Sequence, residues 1–187
     1  MTDTTRSSPQ TDTQTAILDA AQRITQRDGA RKLTIDAVVT ESGFSKGGVL
    51  YHYPNKQALL TALVRRHVKR FEDELKSVRD TASPEKATFQ TLLICALTER
   101  NPEKKQLANA LLAAIAEQPE LLDPAREMVK RIDAEFVDNA KDPVLAQIVL
   151  LAANGLNHRE LLSFPMPDDP MLEDIRARLE SMTKDLF

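Results

Sequence analysis

Apolar residues recur along most of this chain at spacings of three and four, the period of a helix buried on one face. Ile17, Ala20, Ala21 and Ile24 share a face of a helix predicted over 15–28, and Gly29 follows as a stop. Thr34 is placed to cap a short second helix, with Asp36 in its first turn and Ile35, Val38 and Val39 as candidates for burial; Gly43 ends it. Ser45 is placed to cap a third helix reaching about Tyr53, and Pro54-Asn55 breaks it. Leu60, Leu63, Val64, Val68, Phe71 and Leu75 then form a stripe on a long helix predicted over 56–80. Further helical patterns cover about 85–99, 103–117, 124–140, 143–163 and 170–185, with prolines at their junctions. No segment reads as a strand. The pattern predicts an all-α protein with a disordered arm over 1–12, a three-helix head over 13–71 and a larger helical body over 72–187.

Composition agrees with that reading. Alanine and leucine are abundant, tryptophan is absent and aromatics are 4% of the 187 residues, which favours helix over sheet. Cys95 is the single cysteine, so an intrachain disulfide and a multi-thiolate metal site are excluded, and no metal or cofactor is expected. The first residues, MTDTTRSSPQTD, lack the apolar core of a signal peptide. The longest apolar run, 144–153, is broken by Gln147 and is too short to span a bilayer. A cytoplasmic protein without membrane association is the expectation.

Charge changes the picture more. The net charge of −3 conceals a split: residues 1–70 carry 11 Lys and Arg against 6 Asp and Glu, and residues 71–187 carry 14 against 22. A basic head on an acidic body points to a polyanionic partner for the head. The segment ESGFSKGGVLYHYPNK, 41–56, concentrates the effect. Between Glu41 and Glu72 there is no carboxylate, but there are six Lys or Arg and two histidines.

Two short helices joined by a turn carrying Gly43 make a helix-turn-helix, whose second helix lies in the DNA major groove. Lys46 and Lys56 stand in first turns, where the macrodipole disfavours a cation but where a phosphate is well held. Gly47 and Gly48 each cost a helix about 1 kcal/mol relative to alanine. Close approach of the backbone to DNA would account for them; a flexible loop or a nucleotide-phosphate cradle is the competing reading. The spacing Gly43-x-x-x-Gly47-Gly48 fits neither common phosphate-loop pattern, and no strand precedes it.

The run Gly43-Phe44-Ser45-Lys46-Gly47-Gly48-Val49-Leu50-Tyr51-His52-Tyr53-Pro54-Asn55-Lys56, followed by Ala58-Leu59-Leu60, resembles the DNA-binding signature of the TetR family of transcriptional regulators. Upstream, Ala16 to Ala21, Gly29, Thr34-Ile35 and Ser42-Gly43 fit the same pattern, so the resemblance covers about 13–71. It implies that Thr34 touches a phosphate and that Lys46, Gly47 and Gly48 face base edges. It further implies that Tyr51 and His52 contact backbone or bases and that Lys56 holds a phosphate. Tyr53 and Val49 are expected in the core. The sequence departs from the family at Gly48, commonly threonine, and at Leu50, commonly tyrosine, which leaves few side chains to set specificity.

In the body, Leu172, Ile175, Leu179, Met182 and Leu186 recur at 3, 4, 3 and 4, a narrow seam suited to a partner helix. A family-like homodimer would pack the last two helices against their symmetry mates; the alternative is that they complete the monomer's own core. Asn154, Asn157 and His158 interrupt an otherwise apolar helix. They read either as the wall of a ligand pocket lined by Phe89, Leu93, Cys95, Leu111, Met128 and Phe136, or as polar groups at the dimer interface. An enzyme with His158 as acid and base is disfavoured, because no nucleophile, carboxylate pair or ligand set accompanies it. The sequence therefore predicts a non-enzymatic DNA-binding regulator, a repressor released from a palindromic operator by a small hydrophobic inducer. Its alternative is the same head on a body that senses a protein partner or no ligand.

Overall fold

The computed structural model describes residues 9–81, 102–183 and Leu186, and every regular element among them is helical. α1 spans Pro9–Asp28 and a 3-10 turn follows at Ala30–Lys32. α2 (Ile35–Ser42), α3 (Lys46–His52) and α4 (Lys56–Thr81) complete the basic portion. Beyond it come α5 (Pro102–Glu117), a 3-10 turn at Pro119–Leu122, α6 (Asp123–Asp138), α7 (Pro143–Leu161) and α8 (Asp169–Thr183). The helix predicted over 85–99, with Phe89, Leu93 and Cys95, lies outside the described residues. No described helix is long and apolar enough to cross a membrane.

α1 begins at Pro9 rather than near 15, so 9–12 are helical and not part of an arm. Proline suits a first helical position, where its missing N–H goes unused, and Asp12 in the first turn faces the positive end of the dipole. Sequence periodicity could not show this, because 9–14 contain no apolar residue to reveal a helical face.

The described chain divides into two compact units. One takes residues 9–66 and 106–122; the other takes the described residues of 67–105 and 123–187. In the first, Ile17, Ala20, Ala21 and Ile24 of α1 are buried with Leu33, Val38, Val49, Tyr53 and the Leu59, Leu60, Leu63 face of α4. Leu107, Leu111, Ala114 and Leu121 are buried as well, on a segment the sequence assigns to the body. Arg31 pairs with Glu117 at 3.0 Å and the Gln57 amide donates to Glu120 at 3.3 Å, so that segment also meets the head at its surface. Compactness therefore does not follow the boundary expected at 71.

In the second unit, Phe136, Ala146, Val149, Leu150, Ala153, Leu179 and Leu186 form the core, with Ile175 and Met182 packed against it. The seam Leu172, Ile175, Leu179, Met182 and Leu186 thus faces inward, where Leu172, Leu179 and Leu186 are buried. A spacing of three and four shows that a helix buries a stripe; it does not show whose helix covers it. Here the cover comes from the same chain.

Candidate nucleic-acid interface

The reading head is assembled by local signals that the sequence already displays. Thr34 is extended, and its hydroxyl oxygen accepts the Ala37 N–H at 3.1 Å, capping α2. Gly43 closes α2 with φ 75°, a left-handed conformation, while its N–H reaches the Val39 carbonyl at 3.0 Å. Ser45 then caps α3 by accepting the Gly48 N–H at 3.1 Å. A Cβ at Gly43 would meet nothing within 4 Å, so its cost is purely conformational. Gly43→Ala is expected to destabilise the protein by about 1 kcal/mol, seen as a fall of roughly 2–4 °C in thermal melting.

These caps fix which side of α3 is inside. Val49 is fully buried, Tyr53 is buried and donates from its hydroxyl to the Gln14 carbonyl at 3.5 Å, and His52 is half-buried. Tyr51 stands out at 73% exposure, its ring edge-on to that of His52 with centroids 5.1 Å apart. Lys46 and Gly47 are exposed beside it, and the space around Gly47 is open within the chain. Internal packing therefore gives no reason for glycine at 47, which leaves an outer surface that another molecule can approach closely. Gly48 differs: a Cβ there would sit 3.3 Å from the Ser45 hydroxyl oxygen, so a threonine would crowd the cap.

The basic groups are less free than their number implies. Lys46 Nζ lies 2.8 Å from Asp36 Oδ1. Lys56 donates to the Arg31 carbonyl at 3.2 Å, closing the 3-10 turn, and is half-buried; its ammonium serves the head's own backbone in this structure. Arg66 pairs with Asp19 at 2.5 Å and ties α4 to α1. Glu41 accepts from Arg23 at 2.9 Å and from Arg27 at 3.2 Å, and the guanidinium of Arg23, then that of Arg27, holds its carboxyl below the usual carboxylate range. Asp19, Asp36 and Glu41 are thus engaged by cations. Around the start of α3 the exposed residues include Thr34, Asp36, Lys46, Gly47 and Tyr51, of which the sequence reading missed Asp36.

The proposed pocket residues do not all fall in one unit, and Phe89, Leu93 and Cys95 lie outside the described residues. Leu111 is buried in the unit that contains the head, and Phe136 fills the core of the other unit, where Met128 is half-buried. Nor do Asn154, Asn157 and His158 form a buried trio. Asn154 and Asn157 are half-buried, whereas His158 is exposed with Nδ1 2.7 Å from the Asn154 carbonyl oxygen. The buried face of α7 runs through Ala146, Val149, Leu150 and Ala153, and His158 lies on its opposite side. No group of three His, Cys, Asp or Glu that could hold a metal occurs among the described residues.

Comparison with known proteins agrees with this geometry. The family model "Bacterial regulatory proteins, tetR family" matches residues 17–63, and "Tetracyclin repressor-like, C-terminal domain" matches 86–184, over half of the chain. A curated relative, the nucleoid occlusion factor SlmA of Pectobacterium carotovorum, is 26% identical over 148 residues, 76% of this chain and 70% of that protein. A crystallised protein of Mesorhizobium loti, assigned to the TetR-family transcriptional regulators, superposes with a TM-score of 0.72 at 18% identity, covering 95% of this chain and 98% of that one. The multidrug binding protein EbrR, solved with imidazole, superposes with a TM-score of 0.65 at 20% identity, covering 89% and 93%. At these identities the two structures speak to the fold alone. The helix-turn-helix, the exposed face of α3 and the family match converge: this chain belongs to the TetR family of DNA-binding transcriptional regulators, which are not enzymes.

Proposed function

We propose that the protein is a homodimeric repressor that binds a palindromic operator through Thr34, Lys46, Gly47, Gly48, Tyr51, His52 and Lys56. A small hydrophobic molecule in the body would release it. The observation that carries the DNA contact is the outward set Lys46, Gly47 and Tyr51 on a helix held by the Ser45 cap. Lys56 would have to leave the Arg31 carbonyl, or share it, to reach a phosphate.

For the dimer we replace the inward seam of α8 by the outward stripe of α7. Val144, Ile148, Leu151, Gly155, His158 and Leu162 follow one another at 4, 3, 4, 3 and 4, and every one of them is exposed. The opposite side of the same helix is core, so α7 is apolar on two faces and a second copy would cover the outer one. A two-fold dimer places two heads on a two-fold site. α4 belongs to the head unit through Arg66 and to the other from His67, so a ligand-driven shift of that helix would change head spacing.

The small-molecule reading is supported by the likeness to EbrR, a multidrug binding protein. A second reading keeps the head and gives the body a protein partner or nothing to sense. It is favoured by Phe136, expected to line a pocket, filling the core instead. Fluorescence anisotropy on duplexes enriched from a random library tests the first part. The expected result is tight binding to a palindrome, with affinity falling steeply as salt rises. Binding indifferent to salt would overturn it. A thermal-shift screen of small hydrophobic molecules separates the two bodies. Saturating a real site a hundredfold above Kd stabilises by about 2.7 kcal/mol, and no shift with any compound supports the second reading.

A further inference from the structure

We propose that Asp36 is a specificity-determining residue of the DNA-reading surface: its carboxylate positions the Lys46 ammonium and opposes contact with phosphate of any sequence. This rests on α3 being the helix that meets DNA. Asp36 stands in the first turn of α2, where the macrodipole favours an acid. That role does not explain where the side chain goes. Thr34 already supplies the cap by accepting the Ala37 N–H, while Asp36 Oδ1 reaches across the turn to Lys46 Nζ, at 2.8 Å, on the first residue of α3.

The pair has little to do with stability. Its side chains are 76% and 61% exposed, and ion pairs so open to water contribute little to folding. Its consequence falls on whatever approaches from outside. Of the other paired acids of the head, Glu41 joins α2 to Arg23 and Arg27 of α1, Asp19 of α1 joins Arg66 of α4, and Asp28 pairs with its neighbour Arg27. Asp36 alone among the ion pairs described here joins an acid to a side chain of α3, beside exposed Gly47 and Tyr51.

Two effects follow. A carboxylate beside the leading cation of α3 repels the phosphate backbone, and non-specific binding consists almost wholly of phosphate electrostatics. Affinity for every sequence falls together. A tethered ammonium is also directed in space, so a base edge placed to accept from it gains over one that is not. Both effects raise the ratio of specific to non-specific affinity. The glycine at 48 and the leucine at 50 leave α3 with few polar groups, so this ratio depends heavily on Lys46.

The test compares the full-length protein with Asp36→Asn and Asp36→Glu on two duplexes, one enriched from a random library by the wild type and one of scrambled sequence, across a salt series. Asp36→Asn is expected to tighten binding to the scrambled duplex roughly 3- to 10-fold at low salt. It should steepen the slope of log K against log salt by about 0.9 per head. The enriched-to-scrambled ratio should fall at least threefold. Asp36→Glu, which keeps the charge, should follow the wild type. A helix-stabilising role alone would lower the melting temperature and leave the slope where it was, and that result overturns the proposal. So does an unchanged ratio. Loss of binding to the enriched duplex with scrambled affinity constant overturns it too, because Asp36 would then itself contact a base. A wild type that binds neither duplex overturns the reading of the head, which is a different failure.

Discussion

Replacing Lys46 and Tyr51 together by alanine is expected to weaken binding to an enriched operator by at least about 100-fold while leaving thermal melting within about 2 °C of the wild type. Each good side-chain contact to a base edge is worth about 1–3 kcal/mol, and two such losses in each head exceed the 2.7 kcal/mol that a hundredfold change requires. The fold should not notice. Lys46 has 61% of its side chain in water, and Tyr51 is 73% exposed, touching the half-buried His52 edge-on rather than filling the core. The single variants divide the effect. Lys46→Ala removes a cation and leaves the Asp36 carboxylate unpaired toward the phosphates, so it should flatten the salt dependence by about 0.9 per head. Tyr51→Ala removes stacking area and a hydroxyl, so it should weaken binding at every salt concentration with the slope unchanged. Anisotropy titrations beside a melting curve decide the matter, and a double variant that binds like the wild type would mean that DNA meets another surface.

The parts of the head legible in the sequence are those with local causes. Thr34, Gly43 and Ser45 act within four residues of themselves, so each cap and stop could be read from its neighbours and each is found in place. The burial of Val49 and Tyr53 followed from the same short range and from the family pattern. Contacts between distant residues were not legible. Nothing around Lys56 announces that its ammonium meets the Arg31 carbonyl 25 positions earlier, and nothing around Arg31 announces Glu117. Counting charges from 42 to 71 likewise overstated the free positive surface, since Arg66 is neutralised by Asp19 from α1. The same limit explains the body. Helical spacing picked out Leu172 to Leu186 as a buried stripe, and Leu172, Leu179 and Leu186 are buried, but spacing alone could not say which helix covers it.

The dimer face proposed on α7 carries the last expectation. Ile148→Asp with Leu151→Asp, both on the outward stripe of α7 at 50% and 62% exposure, should convert a dimer into a folded monomer. Covering a large aliphatic side chain is worth about 1.5–3 kcal/mol, and two from each copy supply about 6–12 kcal/mol, so the dimer Kd should rise more than 1,000-fold. Sedimentation velocity reads the change directly, and melting should show a folded protein because neither side chain belongs to the monomer's core. The inward stripe gives the contrast. Leu179→Ala, at a position 6% exposed, should cost about 2–5 kcal/mol of stability as any core truncation does. Its effect on association should be secondary. Operator affinity connects the two measurements: a monomer presents one head to a two-fold site and loses the avidity of the second, so the double aspartate variant should bind half-sites and whole palindromes with nearly the same affinity. If it still sediments as a dimer, the copies meet through another face, and the apolar outside of α7 needs a different occupant.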